Sequence, residues 1–150
     1  MGELEIAIVR QGDIDGVHRL EVSAFPSPWR REFFESELHA DGRFNLVVRR
    51  GKEVVGYVFA MWFFDEMHVN KIAVAESERR RGIAAELMAR CLEFARANRI
   101  KTITLEVRKS NTGAQEFYRR LDFEASYVRP RYYPDGEAAV VMTKDVAEQP

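Results

Sequence analysis

The chain has 150 residues, the usual size of one globular domain, and a chain of this length can bury about 70% of its unfolded surface. Its formal net charge is −1 although 31% of its residues are charged, which argues against capture by nucleic acid or a membrane surface through overall charge. The single cysteine, Cys91, excludes an internal disulfide and fits a reducing compartment.

Neither a targeting segment nor a membrane span is predicted. Residues 1–6 fit neither a signal peptide nor N-myristoylation, which needs Ser or Thr where Ile6 stands. No apolar stretch approaches the ~20 residues that cross a bilayer. We therefore expect one domain, residues 1–150, in the cytoplasm, with a frayed tail at residues 146–150.

The first forty residues predict one strand and two helices. Alternation over residues 4–8 predicts the strand. A helix with Asp13 as its N-cap follows, and its apolar face carries Ile14, Val17, Leu20 and Ala24. Residues 25–28 end this helix, and Pro28 is suited to the start of a second helix that carries Phe33, Phe34 and Leu38.

The middle of the chain predicts three strands and a long helix. Residues 44–48 and 54–63 read as strands joined by a tight turn at 50–52, and 66–74 as a fourth strand. The helix covers residues 83–98, with a buried stripe of Ile83, Leu87, Met88, Cys91, Leu92 and Ala95. We therefore interpret Cys91 as a core residue rather than a nucleophile.

The last third predicts three strands and one helix. Residues 102–107 alternate as a strand, and Asn111 is suited to cap a helix carrying Ala114, Phe117, Tyr118 and Leu121. Two more strands, 124–132 and 138–143, flank a turn at 134–136. Strands and helices thus alternate around two hairpins, which predicts an α/β chain with a mixed sheet.

Residues 69–85 combine a buried strand, a short polar turn and the start of the long helix. Gly82 and Ala84 stand at the helix start, where unpaired backbone N–H groups and the positive end of the helix dipole favour an anion. Arg79, Arg80 and Arg81 add forked donors suited to phosphate. The glycine pattern fits neither a nucleotide P-loop nor a dinucleotide fingerprint. We interpret the turn as a pyrophosphate cradle; the alternative is an ordinary solvated surface.

Five segments carry a resemblance to a known family. Arg79-x-x-Gly82-x-Ala84 resembles the (Gln/Arg)-x-x-Gly-x-(Gly/Ala) signature of the GNAT acetyltransferase superfamily, which cradles the pyrophosphate of acetyl-CoA. Residues 25–29, 72–74, 105–111 and 132–134 resemble the bacterial ribosomal-protein-alanine N-acetyltransferases. The Leu-Glu-Val-Arg-Lys-Ser-Asn and Tyr-Tyr-Pro elements are the more specific part of this resemblance.

The resemblance implies a fold and a co-substrate. It implies the GNAT fold, a mixed and mostly antiparallel twisted sheet of about seven strands flanked by four helices, with two splayed central strands. It also implies acetyl-CoA as co-substrate, with no metal. The residues expected to bind acetyl-CoA are Ile72, Ala73, Val74, Arg79, Arg80, Arg81, Gly82, Ile83, Ala84, Ala85, Asn111 and Tyr118.

Amine acetylation needs a base for the attacking amine and an acid for the leaving thiolate. Glu106 is the candidate base, and partial burial on its strand would raise its carboxyl pKa toward neutrality. Its pattern alone fits a surface glutamate, and the base role is implied by the resemblance. Tyr118 is the acid by the same resemblance, and its pattern alone fits a core residue. Glu66 and His68 are rival bases, ranked below Glu106.

Tyr132 and Tyr133 are the candidate acceptor-binding residues, on a hairpin that in this family grips the peptide N-terminus. The alternative is a hydrophobic cross-strand pair. Two departures from the family pattern bear on the substrate. Residues 130–134 read Pro-Arg-Tyr-Tyr-Pro rather than Arg-Asn-Tyr-Tyr-Pro, and Ala138 stands where related N-terminal acetyltransferases carry an acidic residue.

The sequence therefore predicts an acetyl-CoA-dependent N-acetyltransferase acting on a protein α-amine. The resemblance points to the N-terminal alanine of a small-subunit ribosomal protein, with no nucleic-acid or membrane partner. Three alternatives stay open: a GNAT enzyme for lysine side chains or small amines, a silent acetyl-CoA-binding adaptor, and a nucleic-acid patch on the three arginines. Retention of both Glu106 and Tyr118 argues against the silent adaptor, and the net charge argues against the patch.

Overall fold

A computed structural model of the chain describes residues 3–146. Within that range the backbone forms seven strands and four α-helices, and short 3₁₀ turns at Gln11–Asp13 and Glu76–Glu78 precede the first and third helices. The elements in chain order are β1 (Leu4–Ile8), α1 (Ile14–Ala24), α2 (Arg31–His39), β2 (Arg43–Arg50), β3 (Glu53–Phe63), β4 (Glu66–Val74), α3 (Ile83–Ala97), β5 (Thr102–Arg108), α4 (Thr112–Arg120), β6 (Glu124–Arg129) and β7 (Ala139–Asp145).

The strands form one mixed sheet in the order β1-β2-β3-β4-β5-β7-β6. The pairs β1–β2, β2–β3, β5–β7 and β6–β7 are antiparallel, whereas β4 and β5 are parallel. The β4–β5 register covers three residue pairs, from Glu66–Thr102 to His68–Thr104. The predicted splay of the two central strands stays a prediction. The predicted mixed α/β fold is confirmed.

The chain divides into two compact units. The first unit comprises the residues up to Met61 together with Asn70–Cys91, and the second comprises Trp62–Val69 together with the residues from Leu92 onward. The expectation that the chain acts as one domain stays a prediction.

The core of the first unit confirms the predicted face of α1. Ile14 and Val17 are fully buried, and Phe34 from α2 packs edge-on against Tyr57 and Phe59 of β3, with ring centroids 5.8 and 4.9 Å apart. Burying side chains of this size contributes about 1.5–3 kcal/mol each. Cys91 is also fully buried, and burial raises the pKa of its thiol to about 12, which confirms a packing role.

Of the two predicted helix starts in the first unit, the first is confirmed in position and the second is wrong. Asp13 is the N-cap residue of α1, but its side chain makes no capping hydrogen bond, because its carboxylate accepts from the Arg10 N–H at 2.8 Å and pairs with Arg49. Pro28 does not begin α2, which starts at Arg31. The Trp29 N–H donates to Glu21 Oε2 at 2.9 Å, and this bond holds the chain out of the helical path after Pro28.

The second unit is built on β5, β7 and α4. Ile103, Leu105 and Val107 are buried, as the alternation of β5 predicts. Asn111 Oδ1 accepts from the Ala114 N–H at 3.0 Å, which confirms Asn111 as the cap of α4.

The structure corrects two predictions in the last part of the second unit, one on the end of β6 and one on Val146. β6 ends at Arg129, so Tyr132 lies in a loop rather than in a strand. Val146 is held, because its N–H donates to Lys101 O at 2.8 Å. The rest of the predicted frayed tail, 147–150, lies outside the described residues. Among the described residues, none of the helices is long and apolar enough to cross a membrane.

Candidate active site

Residues 79–85 of the first unit form the predicted phosphate turn. α3 begins at Ile83, and its hydrogen-bond ladder starts with Glu86 N–H to Gly82 O at 2.9 Å. The N–H groups of residues 83–85 therefore have no acceptor within the helix. Gly82 has φ +79°, a conformation that strains any other residue, and a Cβ there would meet nothing within 4 Å. The turn thus combines helix-start donors, a required glycine and open space for an anion.

The three arginines of the phosphate turn are exposed, and two of them brace it. Arg79 Nε donates to the Val74 carbonyl at 3.3 Å, which ties the turn to the end of β4. Arg81 pairs with Glu78 at 3.4 Å, and Glu78 is held in turn by Arg50 at 2.7 Å. Even so, the guanidinium groups remain on the surface of the turn, where they can meet a phosphate.

The end of β4 carries the predicted backbone positions for the thioester. Ala73 is buried in the core of the first unit, while Ile72 and Val74 are half-buried. A Cβ on Gly56 would approach the Ala73 carbonyl to 3.3 Å, so the glycine allows close packing of the backbone against β4. These contacts fix the position of residues 72–74 within the first unit.

Three side chains of the second unit, Glu106, His68 and Tyr132, form a hydrogen-bonded cluster. His68 Nε2 donates to Glu106 Oε1 at 2.6 Å, and the Tyr132 hydroxyl donates to the same oxygen at 3.3 Å. The side chain of Glu106 is 10% exposed and that of His68 is 32% exposed. The structure thus brings together the preferred base, one of its rivals and one candidate acceptor-binding tyrosine. Glu66, the other rival, is exposed.

The predicted direction of the Glu106 pKa is wrong. Burial alone would raise the pKa of this carboxyl, but the hydrogen bond and charge of His68, with contributions from Tyr132 and Arg129, hold it below its ordinary value. Glu106 is therefore ionised at neutral pH and ready to accept a proton, although as a weaker base than expected.

Tyr132 and Tyr133 lie in the loop of residues 130–138, which joins β6 to β7. Their rings meet nearly at right angles with centroids 5.0 Å apart, and the Arg108 guanidinium lies 4.2 Å from the centroid of Tyr133. Burial, helped by the negative charge of Glu106, raises the pKa of Tyr132, and burial raises the pKa of Tyr133 to about 12. Both phenols therefore keep their protons at neutral pH.

Tyr118, the predicted acid, lies on α4 and is 7% exposed. Its ring packs against Phe117 and Phe123, with centroids 5.1 and 5.7 Å away. Asn111, which was also predicted to contact the co-substrate, orients the first turn of the same helix through its cap. The helix therefore places the two residues at its opposite ends.

Two arginines near the cluster were not predicted as site residues. Arg108 Nη1 binds Glu137 Oε1 at 2.8 Å, and Arg129 Nη2 donates to the Tyr127 hydroxyl at 3.1 Å. Arg108 could have been found from sequence, because it stands two residues after Glu106 and so shares its face of the strand. Arg129 carries no such signal. Among the described residues, no group of three or more His, Cys, Asp or Glu is placed to hold a metal ion.

Comparison with known proteins agrees with this geometry. The acetyltransferase (GNAT) family profile matches residues 14–123. A Bacillus subtilis protein, provisionally named a ribosomal protein bS18-alanine N-acetyltransferase, is 30% identical over 93% of this chain and 94% of its own. An N-alpha-acetyltransferase of Saccharolobus solfataricus is 32% identical over 90% of this chain and 89% of its own. The crystal structure of the Escherichia coli ribosomal-protein-S18-alanine N-acetyltransferase matches the fold with a TM-score of 0.89, at 24% identity over 99% of this chain and 97% of that one.

The chain belongs to the GNAT acetyltransferase family. It is an acetyl-CoA-dependent N-acetyltransferase, and the family predicted from its motifs is confirmed. The features of the phosphate turn, an open glycine with positive φ beside helix-start N–H groups and exposed arginines, fit the pyrophosphate of such a co-substrate.

Proposed function

We propose that the enzyme acetylates the α-amine of a protein, with the N-terminal alanine of a small-subunit ribosomal protein as the acceptor. The observation that carries the proposal is the Glu106 carboxylate, nearly buried and held by His68 and Tyr132 on one of its oxygens. The names of the Bacillus and Saccharolobus relatives support an α-amine acceptor, and the Bacillus name supports alanine.

We assign two proton transfers to residues of the second unit, one from the acceptor ammonium and one to the departing thiolate. Glu106 takes a proton from the acceptor ammonium, and Oε2 is the oxygen suited to this because both described hydrogen bonds end on Oε1. Bound acetyl-CoA supplies the acetyl group, which forms an amide with the acceptor nitrogen as the C–S bond breaks. Tyr118 gives its phenolic proton to the departing thiolate, and the second proton that the acceptor nitrogen loses as the amide forms returns to Tyr118 through solvent. We assign pyrophosphate binding to residues 79–85, and further co-substrate contacts to residues 72–74 and Asn111.

The lowered pKa of Glu106 favours an α-amine over a lysine. An α-amine has a pKa of about 8 and a lysine side chain about 10.4, so a weak base deprotonates the α-amine far more readily. A carboxylate held below its ordinary pKa by His68 is such a weak base. Tyr132 and Tyr133 would wall the acceptor position and favour a small first residue.

The test compares matched peptides under saturating acetyl-CoA. The first has a free N-terminal alanine, the second is its N-terminally blocked twin containing a lysine, and the third replaces the alanine with a bulky residue. We expect acetylation of the first, none of the second and slow acetylation of the third, read by mass spectrometry at the modified nitrogen. Equal rates on the free and blocked peptides would move the acceptor to lysine and leave the family and co-substrate unchanged.

A further inference from the structure

Glu137 lies in the loop of residues 130–138, named here the acceptor loop, and contacts both tyrosines of this loop and the end of β5. Its side chain joins the loop to the end of β5, because Oε1 accepts from Arg108 Nη1 and Oε2 accepts from the Ser110 N–H, each at 2.8 Å. Its carbonyl accepts from the N–H groups of both Tyr132 and Tyr133 at 3.1 Å. One residue therefore connects the two tyrosines to the strand that carries Glu106.

Arg108, at the end of β5, makes further contacts with the acceptor loop. The same Nη1 that binds Glu137 also binds Asp135 Oδ2 at 2.8 Å, and the guanidinium lies 4.2 Å from the Tyr133 ring centroid. The Asp135 Oδ1 atom accepts from the Glu137 N–H at 3.0 Å. The arginine thus contacts three loop residues at once, because its flat guanidinium lies against the Tyr133 ring while Nη1 binds both carboxylates.

Strand β5 carries both Arg108, which holds the acceptor loop, and Glu106, the proposed base. Glu106 and Arg108 are two residues apart on one strand and so lie on the same face. Tyr132 extends from the loop to Glu106, where its hydroxyl donates to Oε1. A shift of the loop would therefore move Tyr132 relative to the carboxylate that receives the acceptor's proton.

We propose that Arg108 and Glu137 are positioning residues that hold the acceptor loop in its binding conformation before the peptide arrives. The inference rests on the proposed function, because it assumes that Tyr132 and Tyr133 contact the acceptor. Its physical basis is preorganisation: a loop already ordered loses less conformational entropy when the peptide binds, and it keeps Tyr132 in register with Glu106.

The two carboxylates of the Arg108 contacts, Glu137 and Asp135, keep their charge over the pH range of ordinary assays. The Ser110 hydrogen bond, with that of Arg108, lowers the pKa of Glu137 to about 2, and Asp135 is lowered as well, chiefly by the Glu137 N–H. Both carboxylates thus stay ionised well below neutral pH. The anchor therefore has to be removed by mutation rather than by titration.

Limited trypsin digestion tests the loop without using activity. Arg131 has φ +51° and is exposed, and the Arg131–Tyr132 bond lies inside the loop, whereas Pro130 protects the bond after Arg129. We expect R108Q and E137Q to increase cleavage of this bond about tenfold or more over wild type, since each removes a charge-assisted anchor. Cleavage after Arg49, a buried residue of β2 in the first unit, reports general loss of folding and should stay unchanged.

Two control variants make the same Arg-to-Gln and Glu-to-Gln substitutions at ion pairs elsewhere in the chain. R90Q removes an exposed arginine that pairs with Glu86 at 3.0 Å, and E35Q removes a glutamate that pairs with Arg31 at 2.6 Å. Neither touches the acceptor loop, and both should cleave at the wild-type rate. Equal cleavage of the Arg131–Tyr132 bond in wild type, R108Q and E137Q overturns the proposal.

Kinetics supply the second measurement on the same variants. We expect R108Q and E137Q to raise the KM for the alanine peptide about tenfold while the KM for acetyl-CoA changes less than about twofold. The R108Q/E137Q double variant should raise the peptide KM by less than the product of the two single effects, because the residues share one ion pair.

The digestion and the kinetics together distinguish failure of the positioning role from failure of the proposed function. Faster cleavage without a higher peptide KM, or a higher KM without faster cleavage, also overturns the positioning role. Failure of the wild-type enzyme to acetylate any free N-terminus overturns the proposed function, while the digestion alone still decides whether the anchor orders the loop.

Discussion

The phosphate turn and the Glu106 cluster are built in different ways. The phosphate turn is made of consecutive residues and presents backbone N–H groups, so one short stretch from Arg79 to Ala85 contains it. The Glu106 cluster is made of side chains from three separate segments, and His68 and Glu106 are 38 positions apart. A backbone site tolerates most changes of side chain except at its glycine, whereas a side-chain cluster depends on each of its members.

The comparison predicts that damage to the cluster slows chemistry and damage to the turn weakens co-substrate binding. Glu106→Gln should have the largest effect, because it keeps the shape and removes the base. We expect kcat to fall by 10²–10⁴-fold, the usual cost of losing a general base, with little change in acetyl-CoA affinity measured by calorimetry. Glu66→Gln, on the exposed rival, serves as the control. Loss of activity in the Glu66 variant and not in the Glu106 variant would mean that the base is misassigned.

Gly82→Asp should have the next largest effect, and on binding instead of chemistry. The substitution strains a backbone at φ +79° and places a negative charge where phosphate oxygens are expected, so we expect acetyl-CoA affinity to fall about 100-fold. Gly51→Asp is a matched control, since Gly51 also has positive φ and open space around it. Calorimetry on both variants decides the point: unchanged affinity in Gly82→Asp contradicts the cradle, and an equal loss in Gly51→Asp would trace the effect to backbone strain.

Replacing His68 with Leu should change the pKa of Glu106 more than it changes the fold. In the wild type this carboxyl stays ionised until the pH falls through a pKa below the ordinary 4.5, because the groups facing it, His68, Tyr132 and Arg129, outweigh its burial. The stability that this ionisation contributes is present above pH 4.5 and is lost as the pH falls through the lowered pKa. Without His68, burial dominates and the pKa should rise. A ¹³C NMR titration of the labelled carboxyl measures it, and an unchanged pKa would contradict the electrostatic role of His68.

Tyr132→Phe should have the smallest effect of the four. It removes one 3.3 Å hydrogen bond to Glu106 and leaves the ring in place, so we expect a two- to tenfold rise in peptide KM. Tyr132→Ala also removes the ring and should raise KM further, with acetyl-CoA affinity nearly unchanged in both. Steady-state kinetics with the alanine peptide distinguish the two variants, and identical KM values for wild type and both variants would remove Tyr132 from the acceptor site.

Local patterns were sufficient for most of the fold. The bounds of β4 were predicted without error, and those of α3 and β5 within one residue, because the buried stripe of Leu87 and Cys91 and the alternation of Ile103 and Leu105 are strong periodic signals. The errors fall where a distant partner overrides a local signal. The Asp13 side chain pairs with Arg49 instead of making a capping hydrogen bond, and residue 29 is held outside α2 by Glu21.

The sequence by itself determined the family and the acetyl-CoA-dependent activity, since the motifs that indicate them lie on residues close together in the chain. Only the tertiary structure showed that His68 is a hydrogen-bond partner of Glu106, and that the pKa of this carboxyl is lowered rather than raised. It also showed that Arg108 and Glu137 join the loop of residues 130–138 to the end of β5. The reason is physical: burial can be estimated from a strand's own alternation, but the charge that opposes burial comes from side chains that only folding brings within hydrogen-bond distance.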